Sequence, residues 1–399
     1  MENFMQKEKN VKLKKFYILL GMLLILLIPI GFLSNIINER SAYKEEAVNA
    51  VQLSWANEQV INAPELMLGT NVENEYKPFK LNNYNAEIKI STEIRKKGVF
   101  KIPVYTANVF LKGTFKNNFG NLKNSKILFQ YLVTDARGFV EQPKVKLLNK
   151  DYVSEESNKI LKFLDIPNNE IPFEVSYKIR GINQINAVPA GITNSIKISG
   201  NWQNPSFVGN FLPTDKQINK NGFDAEWNIP AISLTELKSP TLGVQLLMPV
   251  DNYRMSTRAV KYAFLFLALT FLAYFIFEIT SKKETPIHQL QYLMMGAAML
   301  IFYLLLTSMS EFVSFCGSYI ISALMTITLM SLYTFFVITH KQNIRFTIFI
   351  SVIMALLYLF LYVLLALQDF SLILGSFGLF LIISLVMYAT RNIEWYKDN

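Results

Sequence analysis

Cysteine and histidine are almost missing from this chain. Of its 399 residues one is cysteine, Cys316, and two are histidine, His288 and His340. A single cysteine closes no intramolecular disulfide, so any part in an oxidising compartment must be held by its own core. Two histidines that both flank apolar runs do not supply a four-ligand structural zinc site. The polar stretch from 38 to 257 has no histidine at all, which removes a Ser-His-Asp triad and any Cys-His pair from it. A phosphate loop of the form G-x-x-x-x-G-K-[ST] is absent as well. Asp135 with Glu141 or Asp165 would make a carboxylate pair on paper, but scattered surface acids account for them without chemistry. No cofactor is expected.

Long apolar runs, by contrast, are plentiful at both ends. A hydrocarbon core about 30 Å thick needs roughly twenty apolar residues of helix to cross it. Residues 16 to 37 (FYILLGMLLILLIPIGFLSNII) meet that length without a charge, and five further runs read as 259 to 280, 287 to 308, 314 to 338, 346 to 367 and 371 to 390. The fold class is therefore an α+β membrane protein, and the lipid bilayer is its first partner. Its expected parts are a basic N-terminus (1 to 15), a membrane anchor (16 to 37), a β-rich outer domain (38 to 257), a five-helix bundle (258 to 390) and a tail (391 to 399).

Loop charge sets the expected orientation. Lys7, Lys9, Lys12, Lys14 and Lys15 precede the first run, and SKKETP (281 to 286) and HKQNIR (340 to 345) carry Lys282, Lys283, Lys341 and Arg345. The turns at SMSEF (308 to 312) and LQDFS (367 to 371) carry only Glu311 and Asp369. With the positive loops inside, six helices leave both termini cytoplasmic and the β domain outside. No small-residue cleavage pattern follows the first run, which exits into SNIINERSAYK and reads as an uncleaved signal anchor. The formal charge of +9 belongs largely to such flanks. No basic run is interleaved with stacking aromatics, so nucleic acid is not an expected partner.

Residues 38 to 57 have helical composition, with Ala42, Ala47, Val48, Val51 and Trp55 near a 3.6 period, so the first helix is expected to continue outward. Strand patterns then take over. Phe173, Val175, Tyr177 and Ile179 alternate with Glu174, Ser176, Lys178 and Arg180, as in a strand with one buried face. Residues 86 to 94, 99 to 115, 126 to 134, 196 to 198 and 222 to 229 are further strand candidates, which predicts a mainly antiparallel domain of two sheets packed face to face. Within it, Asp135 and Arg137 of the DARG turn read as a turn-stabilising pair or as a ligand-contacting loop. Trp202 and Trp227 read as core aromatics or as a sugar-stacking platform.

Ionisable residues inside a membrane are functional suspects because burying charge in hydrocarbon is costly. Here they sit only at span ends: Arg258 and Lys261 at the outer end of the second span, Glu278 near its inner end, and Glu311 beyond the third. The lack of a central charge lowers the rank of a proton- or ion-coupled pump. Ser314, Ser318, Ser322 and Thr326 recur at spacings of four, three residues after Glu311, and form a hydroxyl stripe on one helix face. Such a stripe lets helices pack closely, or lines a substrate path.

Several ordered segments carry a resemblance: LLILLIPI, the NER..Y exit from Asn38 to Tyr43, KKGVFKIPVYTANVFLKGTF (96 to 115), DARGF, GNWQNPSFVGNFLPTDKQINKNGFDAEW (200 to 227), the stretch from Arg258 to Glu278, and RNIEWY (391 to 396). Over essentially its whole length the chain resembles the CreD family of bacterial inner-membrane proteins. The resemblance implies an inner-membrane protein with a large periplasmic region, linked to envelope physiology and commonly controlled by a two-component system. It implies no reaction. Two positions depart from the family pattern: His288 is followed by Gln289 where a proline is usual, and Ser310-Glu311 is followed by Phe312 where a histidine is usual. Any role for an imidazole beside Glu311 is absent here. The expected function is a non-enzymatic envelope protein whose periplasmic domain senses or binds an envelope protein or periplasmic ligand. A transporter or lipid-handling protein is the alternative, and a membrane-embedded hydrolase comes third.

Overall fold

The computed structural model describes residues 2–70, 75–153, 158–248, 252–280, 287–339, 344–367 and 370–391. Lys282, Lys283, His340, Lys341, Asp369 and the tail from 392 lie outside the described residues. Two compact units divide the chain, residues 1–43 with 250–399, and residues 44–249.

The second unit is a β domain. Its strands in chain order are β1 (Gln59–Ile61), β2 (Glu65–Gly69), β3 (Tyr76–Pro78), β4 (Lys80–Lys97), β5 (Phe100–Lys116), β6 (Leu122–Gln130), β7 (Lys144–Leu147), β8 (Lys150–Val153), β9 (Lys159–Ile166), β10 (Ile171–Ile182), β11 (Gln184–Ala187), β12 (Thr193–Gly200), β13 (Pro205–Gly209), β14 (Asp215–Asn219), β15 (Gly222–Pro230) and β16 (Leu242–Leu246). Alternation in β10 is nearly complete, with Phe173, Val175, Tyr177 and Ile179 buried and the residues between them half-buried. The largest sheet orders its eight strands β14-β15-β12-β4-β5-β10-β7-β8, around a long β4–β5 hairpin that turns at Gly98, whose φ of +60° suits a residue without Cβ.

Two smaller sheets, β1-β11-β16-β13 and β3-β2-β6-β9, bring the total to three among the described residues. The expectation of two facing sheets is thus corrected. An eight-stranded sheet with strands as long as 18 residues exposes more apolar face than one short sheet covers. Residues of all three sheets share one core, including Val244 and Leu246 of β16, Phe129 of β6, and Leu111 and Trp227 of the large sheet. Pairing is mainly antiparallel; β12 with β4 and β1 with β11 are parallel. At the bulge between Leu81 and Asn83, Gly113 is needed for close approach, since a Cβ there would lie 2.1 Å from the Asn83 carbonyl oxygen.

The membrane unit is helical: α1 (Glu2–Ile25), α2 (Leu27–Ser54), α3 (Asn252–Lys261), α4 (Ala263–Thr280), α5 (Gln289–Ser310), α6 (Phe315–Tyr333), α7 (Ile344–Ala366) and α8 (Ser371–Thr390). The last eleven residues of α2 belong to the β domain, where Ala47 joins Ile102, Val104 and Ile182 in a small apolar cluster. The join at Leu26 has a cause in the chain: Pro29 has no N–H for the Ile25 carbonyl. Among the described residues five helices are long and apolar enough to cross a membrane, or six if α3 and α4 form one span bent by 45°. The run expected at 259 to 280 falls on the end of α3 and the whole of α4, with a break after Lys261. The amphipathic α3, with Tyr253, Ser256, Ala259 and Val260 buried, precedes the apolar α4. Beyond α6 the helix widens into a π turn, Thr334–Ile338, beside the Tyr274–Thr334 hydroxyl contact of 2.7 Å.

Candidate functional site

The first helix carries a seam that the other membrane helices cover. Leu19, Leu23, Leu26, Leu33 and Ile37 are buried, with Ile30 half-buried, while Leu20, Leu24, Ile28, Phe32 and Ile36 are exposed. Spacings of three and four place the buried set on one stripe, the geometry of packed helices with a 3.5-residue repeat. Leu26 lies against Gly296 of α5 so closely that a Cβ on that glycine would stand 2.5 Å from the leucine Cδ1. Continued by the same spacing, the stripe begins at Lys15 and ends at Arg40.

Each end of this seam is an ionic clamp. At one end the Lys15 ammonium pairs with Glu278 and donates to the Ile287 carbonyl at 2.6 Å. Glu278 also accepts from the Tyr292 hydroxyl at 3.0 Å and from the Ile287 N–H at 3.2 Å. At the other end Arg40 grips Glu311 with two donors, Nε to Oε1 at 2.7 Å and an Nη to Oε2 at 2.6 Å. The Tyr253 hydroxyl donates to the same carboxylate at 2.7 Å, and Asn252 donates to the Ser310 carbonyl. The Glu311 side chain is 9% exposed and that of Arg40 35%, so the carboxylate is the more enclosed partner of the pair. Both carboxylates are held by a cation and a tyrosine together, contacts that fasten one helix to another.

Beside the second clamp a groove of about 360 Å³ opens between α2 and α5. Leu33, Ile36, Ile37 and Leu304 give it an apolar wall. Arg40 and Glu311, with Thr307 and Ser308, make its polar end.

The other residues singled out in the sequence have defined local work. Arg258 donates to the Leu364 carbonyl at 3.2 Å, satisfying the last turn of α7. Lys261 is exposed. His288 caps α5, its Nδ1 accepting from the Leu290 N–H at 3.2 Å while Gln291 completes the capping box. Ser314 is not part of a buried stripe: it is exposed and caps α6, accepting from the Gly317 N–H at 3.3 Å. Ser318, Ser322 and Thr326 are buried. Thr326 donates to the Ser322 carbonyl at 2.9 Å, and Ser318 Oγ has no hydrogen-bond partner.

In the β domain Asp135 caps the short 3-10 turn Ala136–Gly138 and accepts from Arg137 Nε at 2.9 Å, from its Nη at 2.6 Å and from the Asn57 N–H at 3.0 Å. The guanidinium, first among these, holds the carboxyl down at about 2. Buried Gln59 closes the network by donating to the Asp135 and Arg180 carbonyls at 3.1 and 3.0 Å. Gly138 is required there, because a Cβ would meet the Arg180 oxygen at 2.6 Å. The network joins the DARG turn to the chain that follows α2. Trp227 is fully buried, and its Nε1 donates to the Phe211 carbonyl at 3.0 Å. Asp165 binds the Asn124 N–H at 2.8 Å, away from the bonds that engage Asp135.

Lys15, Arg40, Tyr253 and Tyr292 were not singled out as site residues from the sequence. No local pattern marks them: the run between Lys15 and Arg40 is apolar on every side, and Tyr253 and Tyr292 lie on other helices.

Comparison with known proteins identifies the family. A family model described as inner membrane protein CreD matches residues 11–396. The inner membrane protein CreD of Escherichia coli (strain K12) is 27% identical over 420 aligned positions, covering 95% of this chain and 92% of the relative.

Proposed function

Because the chain belongs to the CreD family of inner-membrane proteins, we propose that it is a non-enzymatic envelope protein whose β domain faces the periplasm and binds another envelope component, linking that contact to envelope stress. The observation that carries this reading is strand β9. It closes one edge of the four-stranded β3-β2-β6-β9 sheet and turns Leu161 (50% exposed) and Phe163 (64% exposed) outward between Lys159, Lys162 and Asp165. A sheet edge with outward aromatic and aliphatic side chains is a template for strand addition by a partner. The alternation of basic and non-basic loops supports six spans with both termini in the cytoplasm. No group in the β domain is arranged as a nucleophile beside a base among the described residues.

A photo-crosslinking residue at position 163 in the full chain tests the reading in living cells. Discrete adducts with an envelope protein are expected at 163 and not at position 89 on the far larger sheet. Uniform adducts at both positions, or none, would remove the support that β9 gives. On a Cys316→Ser background, Lys123→Cys should react with an impermeant maleimide from outside and Lys282→Cys only after the cytoplasm is opened. The reverse pattern would overturn the orientation.

A further inference from the structure

The groove at the Arg40 end of the seam has the anatomy of an amphiphile site. Its wall of Leu33, Ile36, Ile37 and Leu304 continues a lipid-facing surface that includes exposed Phe32 and Ile301. Its other end holds Arg40 and Glu311 side by side, with the hydroxyl residues Thr307 and Ser308. A wholly apolar occupant would set the charged pair of Arg40 and Glu311 against hydrocarbon. A small polar one would leave the wall wet. The occupant must therefore be long, apolar at one end and polar at the other, which in a bilayer is a phospholipid.

The charges select its head. An anionic head that suits Arg40 meets the Glu311 carboxylate, and a cationic head that suits Glu311 meets the guanidinium. A zwitterionic head with a phosphate beside a primary ammonium complements both. The phosphate accepts from the one-third exposed guanidinium of Arg40, and the ammonium donates to Glu311, a side chain already oriented by the Tyr253 hydroxyl at 2.7 Å. We propose that the groove between α2 and α5 seats one phospholipid with a phosphoethanolamine head. This reading does not depend on the partner-binding edge of the β domain.

The test uses the full chain in nanodiscs of equal parts palmitoyl-oleoyl phosphatidylethanolamine and phosphatidylglycerol, released into mild detergent for native mass spectrometry. One phosphatidylethanolamine should be retained about tenfold more often than phosphatidylglycerol, the ratio that one charge-assisted hydrogen bond supports. Leu304→Trp fills the groove from its lipid side and leaves the ion pair intact. It should cut retention about tenfold with an unchanged melting temperature. Glu311→Gln removes the negative half of the site and should turn the preference toward phosphatidylglycerol. Retention indifferent to the head, retention insensitive to Leu304→Trp, no retained lipid, or a second copy of the chain held in its place would each overturn the proposal. Should Leu304→Trp fail to fold, the head preference of the unaltered chain and its shift in Glu311→Gln decide.

Discussion

Among the described residues of 44–249 the buried polar side chains are two amides and an acid, Gln59, Asn194 and Asp135. In the membrane unit they are hydroxyls throughout, Ser256, Thr270, Thr307, Ser310, Ser318, Ser322, Thr326, Thr334, Thr339 and Thr347 among the described residues. Backbone supply explains the contrast. A helix offers each serine or threonine a carbonyl one turn back, used by Thr307 to Tyr303, Thr334 to Met330 and Thr339 to Phe335. Half of these hydroxyls, on Thr307, Ser310, Thr326, Thr334 and Thr339, enter the core with a partner from their own helix. In the β domain the groups in need are N–H and C=O of turns between strands, and only a forked side chain reaches several of them. Polar burial ties distant segments together in one unit and is, for half of the hydroxyls, absorbed within single helices in the other.

Asn194 puts that contrast at its largest. It accepts from the N–H groups of Ala190 and Gly191 and donates to the carbonyls of Gly191 and Ile229, all within 3.0 Å. Asn194→Ala leaves these groups buried and unmatched and should cost about 3 kcal/mol. Urea unfolding followed by the fluorescence of Trp55, Trp202 and Trp227, on a Trp395→Phe background, measures it. A loss below about 1 kcal/mol would mean that water reaches this turn and that the amides are not what ties the unit.

The exceptions in the membrane unit are its clamps. Removing one partner of a fully buried ion pair costs about 3 to 5 kcal/mol. With Arg40 one-third exposed, Arg40→Ala should cost about 2 kcal/mol in detergent. Arg40→Ala with Glu311→Ala should recover part of that, because no lone charge is left behind. A double-mutant cycle on melting in detergent reads the coupling, and strictly additive losses would show that the pair does not fasten the seam.

Asp135 is the one buried acid among the described residues, and pH addresses it. Its carboxyl titrates at about 2 when folded and near 3.9 when unfolded. A depressed folded value means that the pair with Arg137 stabilises fully above pH ~4 and that this contribution is lost as pH falls from ~4 toward ~2. Discounted for solvent around the half-exposed Arg137, the effect should be about 1 kcal/mol, and Asp135→Asn should flatten that part of the pH profile. Intrinsic fluorescence of the same three tryptophans follows it. An unchanged slope would show that other carboxylates carry the acid sensitivity.

Local chemistry was readable in the chain, and long-range pairing was not. β10 shows itself because one wet face imposes a period of two, and the Asp135–Arg137 pair shows itself because the partners are two residues apart. The seam from Lys15 to Arg40 is hidden because positions 16 to 37 are apolar on every side, which leaves no contrast for a 3.5 period to reveal. Arg40 and Glu311 are 271 residues apart, and nothing local to either names the other. The sheet β1-β11-β16-β13 is hidden for a similar reason: its strands are three to five residues long, and β1 pairs Gln59 with Ile185 across the domain.

The smallest effect belongs to the hydroxyl face of α6, and it sharpens the comparison most. Thr326 already bonds to its own helix, Ser322 Oγ lies 3.9 Å from the Met309 sulfur, and Ser318 Oγ has no partner. An interhelical hydroxyl bond in a membrane is worth about 0.6 kcal/mol on average, so Ser322→Ala should cost no more than that. Ser318→Ala removes a buried donor that nothing satisfies, and it should leave melting in detergent unchanged or raise it slightly. Ser318→Leu should instead lower it, since a fully buried position has no room for three more carbons. If the face lined a substrate path, the alanine forms would melt normally and fail to complement an envelope phenotype. A stable but inactive Ser318→Ala chain would move this stripe from packing to transport.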